Sequence, residues 1–371
     1  MSQRPPARPR DPVDAIETPA LVLDLDAFEA NLDAMAAAVA AAGLRLRPHA
    51  KSHKCPQIAR AQVGRGAVGI CCQKTDEALA FIEAGIADVL VTNEVVHPAK
   101  LARLAQAAQR ARVGLLFDAA DAVSLAAEAA RSAGSTLDAY VEVDVGAGRC
   151  GLPPRDAGLL AVTIAAQPGL RFMGLHAYHG TAQHLRTPQA REAAVASARS
   201  AVEEARAQVA RAGLPVSVVT GAGTGTWPLE QASGAWNELQ PGSYALMDAD
   251  YARNAAGARD LPFRHALFVL ASVMSVPEAS RPVCDAGLKA LAFDSGLPLV
   301  HARAGVAYAK ASDEHGVLGV AAGAAPLALR DRVWLVPGHC DPTVNLYDWI
   351  VALRGDRVEG VWPVSARGAV A

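Results

Sequence analysis

Three short stretches of this 371-residue chain concentrate side chains able to do chemistry. The first is Arg47-Pro48-His49-Ala50-Lys51-Ser52-His53-Lys54, which closes a candidate strand and holds two histidines and two lysines. A lysine that attacks a carbonyl carbon must spend part of its time deprotonated, and neighbouring positive charge lowers its pKa. A basic surface loop would have the same composition. The second is Thr220-Gly221-Ala222-Gly223-Thr224-Gly225-Thr226, followed by Glu238-Leu239-Gln240-Pro241-Gly242-Ser243-Tyr244. Glycines let backbone N–H groups converge on phosphate oxygens, and hydroxyls add donors. A structural turn reads the same way. The third is Pro337-Gly338-His339-Cys340-Asp341-Pro342-Thr343. In an extended segment His339 and Asp341 point to one side and Cys340 to the other. Imidazole plus carboxylate suits Mg, Mn or Zn, and two protein ligands leave room for water or substrate oxygens. Taken alone, H-x-D is also a frequent accident.

Two further groups lie between these. Val141–Gly151 ends a candidate strand and carries Arg149, which either faces a cofactor or substrate carboxylate or pairs with Asp144. His176, Tyr178, His179, Gln183 and His184 crowd the end of the next strand, some as a site and one or two as caps.

Such groups need a scaffold that gathers strand ends. Leu44–Leu46, Ala67–Cys71, Val89–Val91, Val113–Phe117, Leu137–Val143 and Phe172–Ala177 are apolar strand candidates separated by alanine-rich helical stretches. Phe28, Leu32, Met35 and Val39 make one helical face, Leu101, Leu104 and Ala108 another, and a long helix is expected over Pro188–Ala212. Strand–helix–strand alternation forces parallel pairing with helical crossovers. Six or more such units favour a (β/α)8 barrel over a doubly wound sheet, and no GxGxxG follows the first strand. The C-terminal ends of barrel strands form the active-site face, and late barrel loops are a common phosphate site.

After about residue 255 the rhythm changes to short strands and turns, including His265–Ser275, Val306–Lys310, Val333–Val336, Ile350–Arg354 and Arg357–Trp362. The expected organisation is an arm and strand over 1–25 that joins the β domain, a barrel over 26–254, and a β domain over 255–371. The start, MSQRPPARPRDP, reads as a disordered arm and not a secretory signal.

Charged residues are 19% of the chain and net charge is -2, which gives no broad attraction to nucleic acid or to an anionic membrane. No run of 18 apolar residues is present. The six cysteines show no CxxC pair and read as reduced thiols in a cytoplasm.

These stretches, with TPALVLDLD, GICCQK, LVTNEVV, VDVGAGRCG, AYHGTAQH, ELQPGSYALMDADY, DAGLKA, SDEHG, PGHCDPTVNLYDW and VWPVSARG, resemble the D-threonine aldolase and 3-hydroxy-D-aspartate aldolase family. That family also includes metal-dependent D-serine dehydratases. The likeness runs from about residue 18 to residue 368, with order and spacing kept. It implies an alanine-racemase-like fold: a (β/α)8 barrel binding pyridoxal 5'-phosphate (PLP), then a C-terminal β-strand domain, as a homodimer. It implies that Lys51 carries the cofactor and that Gln73, Tyr178, Thr224, Gly242, Ser243 and Tyr251 contact it. It further implies that His339 and Asp341 hold a divalent metal, Mn or Mg rather than Zn, since the dehydratases carry H-x-C. The implied activity is cleavage of small D-β-hydroxy-α-amino acids to glycine and an aldehyde, with His184 or a water as the base. A 3-hydroxy-D-aspartate aldolase releasing glyoxylate and a D-serine dehydratase are the neighbouring readings. A racemase would need no metal, and a barrel that only buffers the cofactor would need no second domain.

Overall fold

The computed structural model describes residues 4–371. Eight parallel strands run in chain order around a barrel: Arg45–Leu46, Ile70–Cys72, Asp88–Glu94, Arg112–Phe117, Leu137–Glu142, Leu170–Ala177, Val218–Gly221 and Glu238–Leu239. The last pairs back onto the first. The seam lies between the first two, where the ladder shrinks to a His49–Cys71 bridge and two bonds, Val68 N–H to Leu46 O (2.9 Å) and Cys71 N–H to Pro48 O (2.8 Å). Helices cover the outside and side chains fill the inside. Both faces are therefore buried, which is why these strands read as near-continuous apolar runs.

Helices follow the strands as the periodicity requires. Leu25–Ala41 buries Phe28, Leu32, Met35 and Val39, and the Asp24 side chain caps it by accepting the N–H groups of Asp26 and Ala27. Pro98–Ala107 buries Leu101 and Leu104, and Pro188–Arg211 is the long helix expected there. At the end where the strands begin, buried Arg47 is gripped by Glu238 (3.0 Å) and Asp88 (2.6 Å). Arg47 is thus consumed in a structural network under the barrel, away from the lysine four residues on.

The second sheet has nine strands. Leu267–Ser275 is central, pairing with Val283–Cys284, Arg332–Val336 and Ala20–Asp24. Ala20–Asp24 runs parallel to Trp349–Arg354, which forms a hairpin with Arg357–Pro363. The N-terminal strand therefore lies in this sheet, sewn between strands from the other end of the chain.

Three details depart from the sequence reading. The arm is not disordered from Arg4 onward: Arg10 N–H and Val13 N–H donate to Val358 O (2.7 Å) and Asp356 O (2.9 Å). Ala7 and Ile16 are buried against the sheet. Met1–Gln3 lie outside the described residues. A strand at Gly316–Val320 was not among those expected from the sequence. Gly316 is there for closeness: a Cβ on it would stand 2.5 Å from the Tyr308 ring. Finally, Cys340–Val344 forms a short helix rather than an extended segment. Among the described residues no helix is long and apolar enough to cross a membrane.

Candidate active site

The C-terminal ends of the barrel strands surround a cavity of about 390 Å³. Lys51 enters it from a single 3-10 turn, Ala50–Ser52, directly after the first barrel strand. His49 builds that turn. Its Nδ1 accepts the Lys51 N–H (3.3 Å), and Ser52 Oγ donates to its carbonyl (3.1 Å). His49 Nε2 lies 2.9 Å from Thr92 Oγ1 and 3.1 Å from Gln73 Oε1. With Nδ1 an acceptor, Nε2 carries the proton and donates to these oxygens. Burial, reinforced by Lys51, pushes the His49 pKa well down, so the ring is neutral.

The Lys51 ammonium meets the Asp341 carboxylate directly. Burial works to lower the lysine's pKa, but Asp341 outweighs it and holds the amine above the usual lysine range. This reverses the expectation that neighbouring positive charge would depress it. The two histidines that were to supply that charge are neutral, His53 being pushed to about 4 by burial.

Opposite Lys51 stand the glycine loops. Thr224 Oγ1 accepts the Tyr244 N–H (3.0 Å), tying the first loop to the second. Gln183 braces the first from behind, donating to Thr226 Oγ1 (2.8 Å) and accepting the Gly225 N–H (2.9 Å). A Cβ on Gly223 would stand 2.5 Å from Gln183 Oε1, and one on Gly242 2.8 Å from the His49 carbonyl. Only glycine lets these backbones come so close. Thr224, Gly242, Ser243 and Tyr251 all line the cavity, and so does Gln73, whose amide donates to Thr92 O (3.0 Å).

Tyr178 forms a wall, with the Arg149 guanidinium 5.7 Å from its ring centroid. Arg149 lies 3.9 Å from Glu142 and does not pair with Asp144, whose carboxylate accepts the N–H groups of Gly146 (2.9 Å) and Gly148 (3.2 Å). His176 belongs to the floor: its Nε2 meets Gln240 Oε1 (3.1 Å), and burial pushes it to about 4. His179 is turned away and bonds Thr181 (3.2 Å). His184 closes the turn Thr181–His184 and lines the cavity, its Nδ1 2.6 Å from Asp250. Its ring lies 5.8 Å from that of Tyr251.

On the other side of Lys51 are His339 and Asp341. His339 caps the helix Cys340–Val344 with extended backbone, and Asp341 lies in that helix's first turn. The pair still converges, His339 Nε2 standing 3.9 Å from Asp341 Oδ1. Cys340 does not point to the opposite side: its Sγ is 3.3 Å from Asp341 Oδ1. Burial pushes that thiol well up, so it stays protonated and is a donor to the carboxylate rather than a metal ligand.

The residues fit both groups that the sequence implies. A reactive amine, a glycine cradle and an aromatic wall share one cavity of a size for a phosphorylated ring. Two donors each about 2.1 Å from one ion lie at most about 4.2 Å apart, so His339 and Asp341 can share one. Asp294 accepts from His339 Nδ1 (2.7 Å) and thereby leaves Nε2 as the free lone pair. The Lys51 ammonium sets a positive charge against Asp341. Among the described residues no three His, Cys, Asp or Glu side chains are placed to hold one metal ion together, so other ligands would complete such a site. Thr92, Asp250 and Asp294 were not singled out as site residues from the sequence, and His49 was noted there only as one of the two histidines beside Lys51. Asp250 does fall in the DADY stretch quoted there, but Asp294 sits in an irregular loop with no motif around it.

Residues 23–250 match the family profile described as alanine racemase, N-terminal domain, and residues 266–353 match a serine dehydratase domain profile. The chain is 47% identical to a D-threonine aldolase of an Arthrobacter species over 98% of this chain and 96% of that protein. It is 46% identical to a 3-hydroxy-D-aspartate aldolase of Paracoccus denitrificans over 98% of this chain and 95% of that one. The crystal structure of a D-threonine aldolase from Filomicrobium marinum superposes with a TM-score of 0.97 at 48% identity, covering 99% of this chain and 100% of that one.

Proposed function

The chain belongs to the family of the D-threonine aldolases and 3-hydroxy-D-aspartate aldolases, and from that premise we propose that it is a PLP- and divalent-metal-dependent lyase. Its reaction is the cleavage of D-β-hydroxy-α-amino acids to glycine and an aldehyde. One observation carries this reading: the Lys51 amine stands between the glycine cradle and the His339–Asp341 pair.

When bound, PLP supplies an electron sink for the pair left as the Cα–Cβ bond breaks, and the divalent ion supplies a Lewis acid for the β-hydroxyl. Lys51 would hold the cofactor covalently and Thr224, Gly242 and Ser243 its phosphate, while Tyr178, Tyr251 and Gln73 position its ring. His339 and Asp341 would hold the ion. The protein's own proton acceptor is His184. Asp250 accepts a hydrogen bond from its Nδ1–H (2.6 Å), so Nε2 is free to receive the proton of the β-hydroxyl. The neutral His49 cannot compete for that proton, since both of its nitrogens are engaged within the wall. His176, buried in the floor, is likewise held neutral. Arg149, over the Tyr178 face, places a cation at the far edge of the cavity. The homodimer expected from the family and the cytoplasmic location expected from the cysteines belong to this reading.

The test is direct. Purified protein should absorb near the visible edge, and borohydride should fix the cofactor to Lys51. With D-threonine and Mn the products should be glycine and acetaldehyde. Full turnover by Lys51→Ala would overturn the assignment, and keto acid plus ammonia would make the enzyme a dehydratase instead.

A further inference from the structure

The cofactor cradle and the His339–Asp341 pair follow strands of different sheets, and one buried side chain joins them. Asp248 caps the short helix Ala249–Ala252, its Oδ1 accepting the Tyr251 N–H (3.0 Å). Its Oδ2 accepts the Cys340 N–H (2.9 Å), 92 residues along the chain and between the two candidate metal ligands. Two main-chain bonds run beside this contact, Ala249 N–H to Pro337 O (2.9 Å) and Asp250 N–H to Gly338 O (3.1 Å). Both end before His339, so the Asp248 carboxylate alone attaches between His339 and Asp341. Asp248 is fully buried, and the mechanism makes no other use of it.

The same turn reaches the cradle. The Met247 N–H closes on Ser243 O (2.7 Å), and Gly242, Ser243 and Tyr251 all line the cavity. Met247 has φ of +54°, a left-handed backbone that a side chain disfavours. Such strain persists where the surroundings over-determine it, and it collects at ligand clamps. Here it falls on the residue before Asp248, where the chain passes from the cradle to the metal-side segment.

We infer that Asp248 is a positioning residue that couples the two halves of the site: a ligand filling the cofactor cradle tightens the hold of His339 and Asp341 on a divalent ion, and the ion tightens the hold on that ligand. This rests on the reading that the site takes PLP and a metal. A ligand against Ser243 and Tyr251 stills the turn from which Cys340 hangs. The flanking His339 and Asp341 then lose less freedom when they close on an ion. Linkage makes the effect equal in both directions. Asparagine cannot stand in for Asp248. It has one acceptor oxygen, so its amide NH2 would face the N–H of either Tyr251 or Cys340, donor against donor. Thr343 is the contrast. It donates to His339 O (2.8 Å) and accepts the Ala292 N–H (3.2 Å), which steadies the metal-side helix without touching the cradle.

The experiment reads binding, not turnover. Free Mn is followed by electron paramagnetic resonance, and PLP by its absorbance near the visible edge. Mn should bind the PLP-loaded protein at least about fivefold more tightly than the same protein stripped with hydroxylamine, and PLP should gain the same factor from Mn. Pyridoxine 5'-phosphate lacks the aldehyde and cannot engage the Lys51 amine, yet it should tighten Mn too, because the link runs through the cradle. In Asp248→Asn the factor should fall to about twofold or less. Asp248→Ser, smaller and with one acceptor, should behave alike and serves if the Asn protein does not fold. Thr343→Val should weaken Mn equally with and without cofactor and keep the factor. Equal Mn affinity with and without PLP or pyridoxine 5'-phosphate in wild type would overturn the coupling and leave the lyase intact. So would a wild-type factor in a folded Asp248 variant, or an equal loss of the factor in Thr343→Val. A wild-type protein that binds neither PLP nor Mn would instead overturn the lyase reading itself.

Discussion

Asp250 holds His184 through a 2.6 Å Nδ1–Oδ2 hydrogen bond, and Arg186 grips the same carboxylate from the other side. Burial works to raise the Asp250 carboxyl, but Arg186 and His184 outweigh it and keep it below the usual range. A permanently ionised carboxylate therefore sets the imidazole tautomer and stabilises the ring when it gains a proton. Asp250→Asn should lower kcat about 10- to 1,000-fold with little change in PLP content. Because Asp250 acts through His184, the double variant with His184→Ala should be no slower than His184→Ala alone. Additive losses in steady-state kinetics would show that the two residues work separately.

Asp294 stands in the same relation to His339, at 2.7 Å from Nδ1. Removing such a partner leaves the ring free to turn and lowers its basicity, which typically costs 10- to 100-fold in metal affinity. Asp294→Ala should therefore need about 10 to 100 times more Mn for half-maximal activity, while its PLP absorbance stays at the wild-type level. Titration of the chelated protein with Mn checks this. An unchanged midpoint would mean that the ring is held in place by packing alone.

The barrel was legible because its strands are buried on both faces and its helices carry one apolar stripe. Phe28, Leu32, Met35 and Val39 mark the first helix by their spacing alone. Lys51, the glycine loops and the His339–Asp341 pair could be read as well, since each compresses its chemistry into a few consecutive residues. What lay hidden depends on distance along the chain. Asp294 meets His339 across 45 residues and Asp250 meets His184 across 66. No local pattern marks a carboxylate whose task is to hold a histidine elsewhere. The charge state of Lys51 was misjudged for the same reason. Its neighbours in sequence are cationic or neutral, but its neighbour in space is Asp341, 290 residues away.

Glu230 gives a pH-dependent prediction away from the reacting groups. It is buried behind the glycine loop, where it accepts the Thr226 hydroxyl (2.7 Å). Burial raises its pKa to about 7, against 4.5 for the free side chain. The folded chain keeps this proton longer than the unfolded chain does. The associated stability is fully present below about pH 4.5, is lost as pH rises towards 7, and changes little above that. The gap corresponds to roughly 3 kcal/mol. Glu230→Gln keeps the shape without the ionisation, so its thermal midpoint should gain on wild type between pH 5 and pH 8. A midpoint difference that is the same at both pH values would show that Glu230 does not ionise in this interval.

Two glycines separate steric need from backbone need. Gly242 has ordinary backbone, φ -114°, so alanine there meets the His49 carbonyl at 2.8 Å, His49 Cβ at 3.2 Å and Ser52 Oγ at 3.4 Å. Those atoms belong to the turn that presents Lys51, and Gly242 itself lines the cavity. Gly242→Ala should therefore push the cradle off the lysine turn and weaken PLP binding about tenfold or more, seen as PLP lost on dialysis. Gly213 is the contrast: its φ is +78° and nothing lies within 4 Å of a Cβ built on it. Gly213→Ala should cost about 1 kcal/mol of stability through backbone strain alone. It should leave PLP content and turnover as they are. Equal PLP loss in both variants would mean that the cradle fails through general destabilisation and not through the contact with His49.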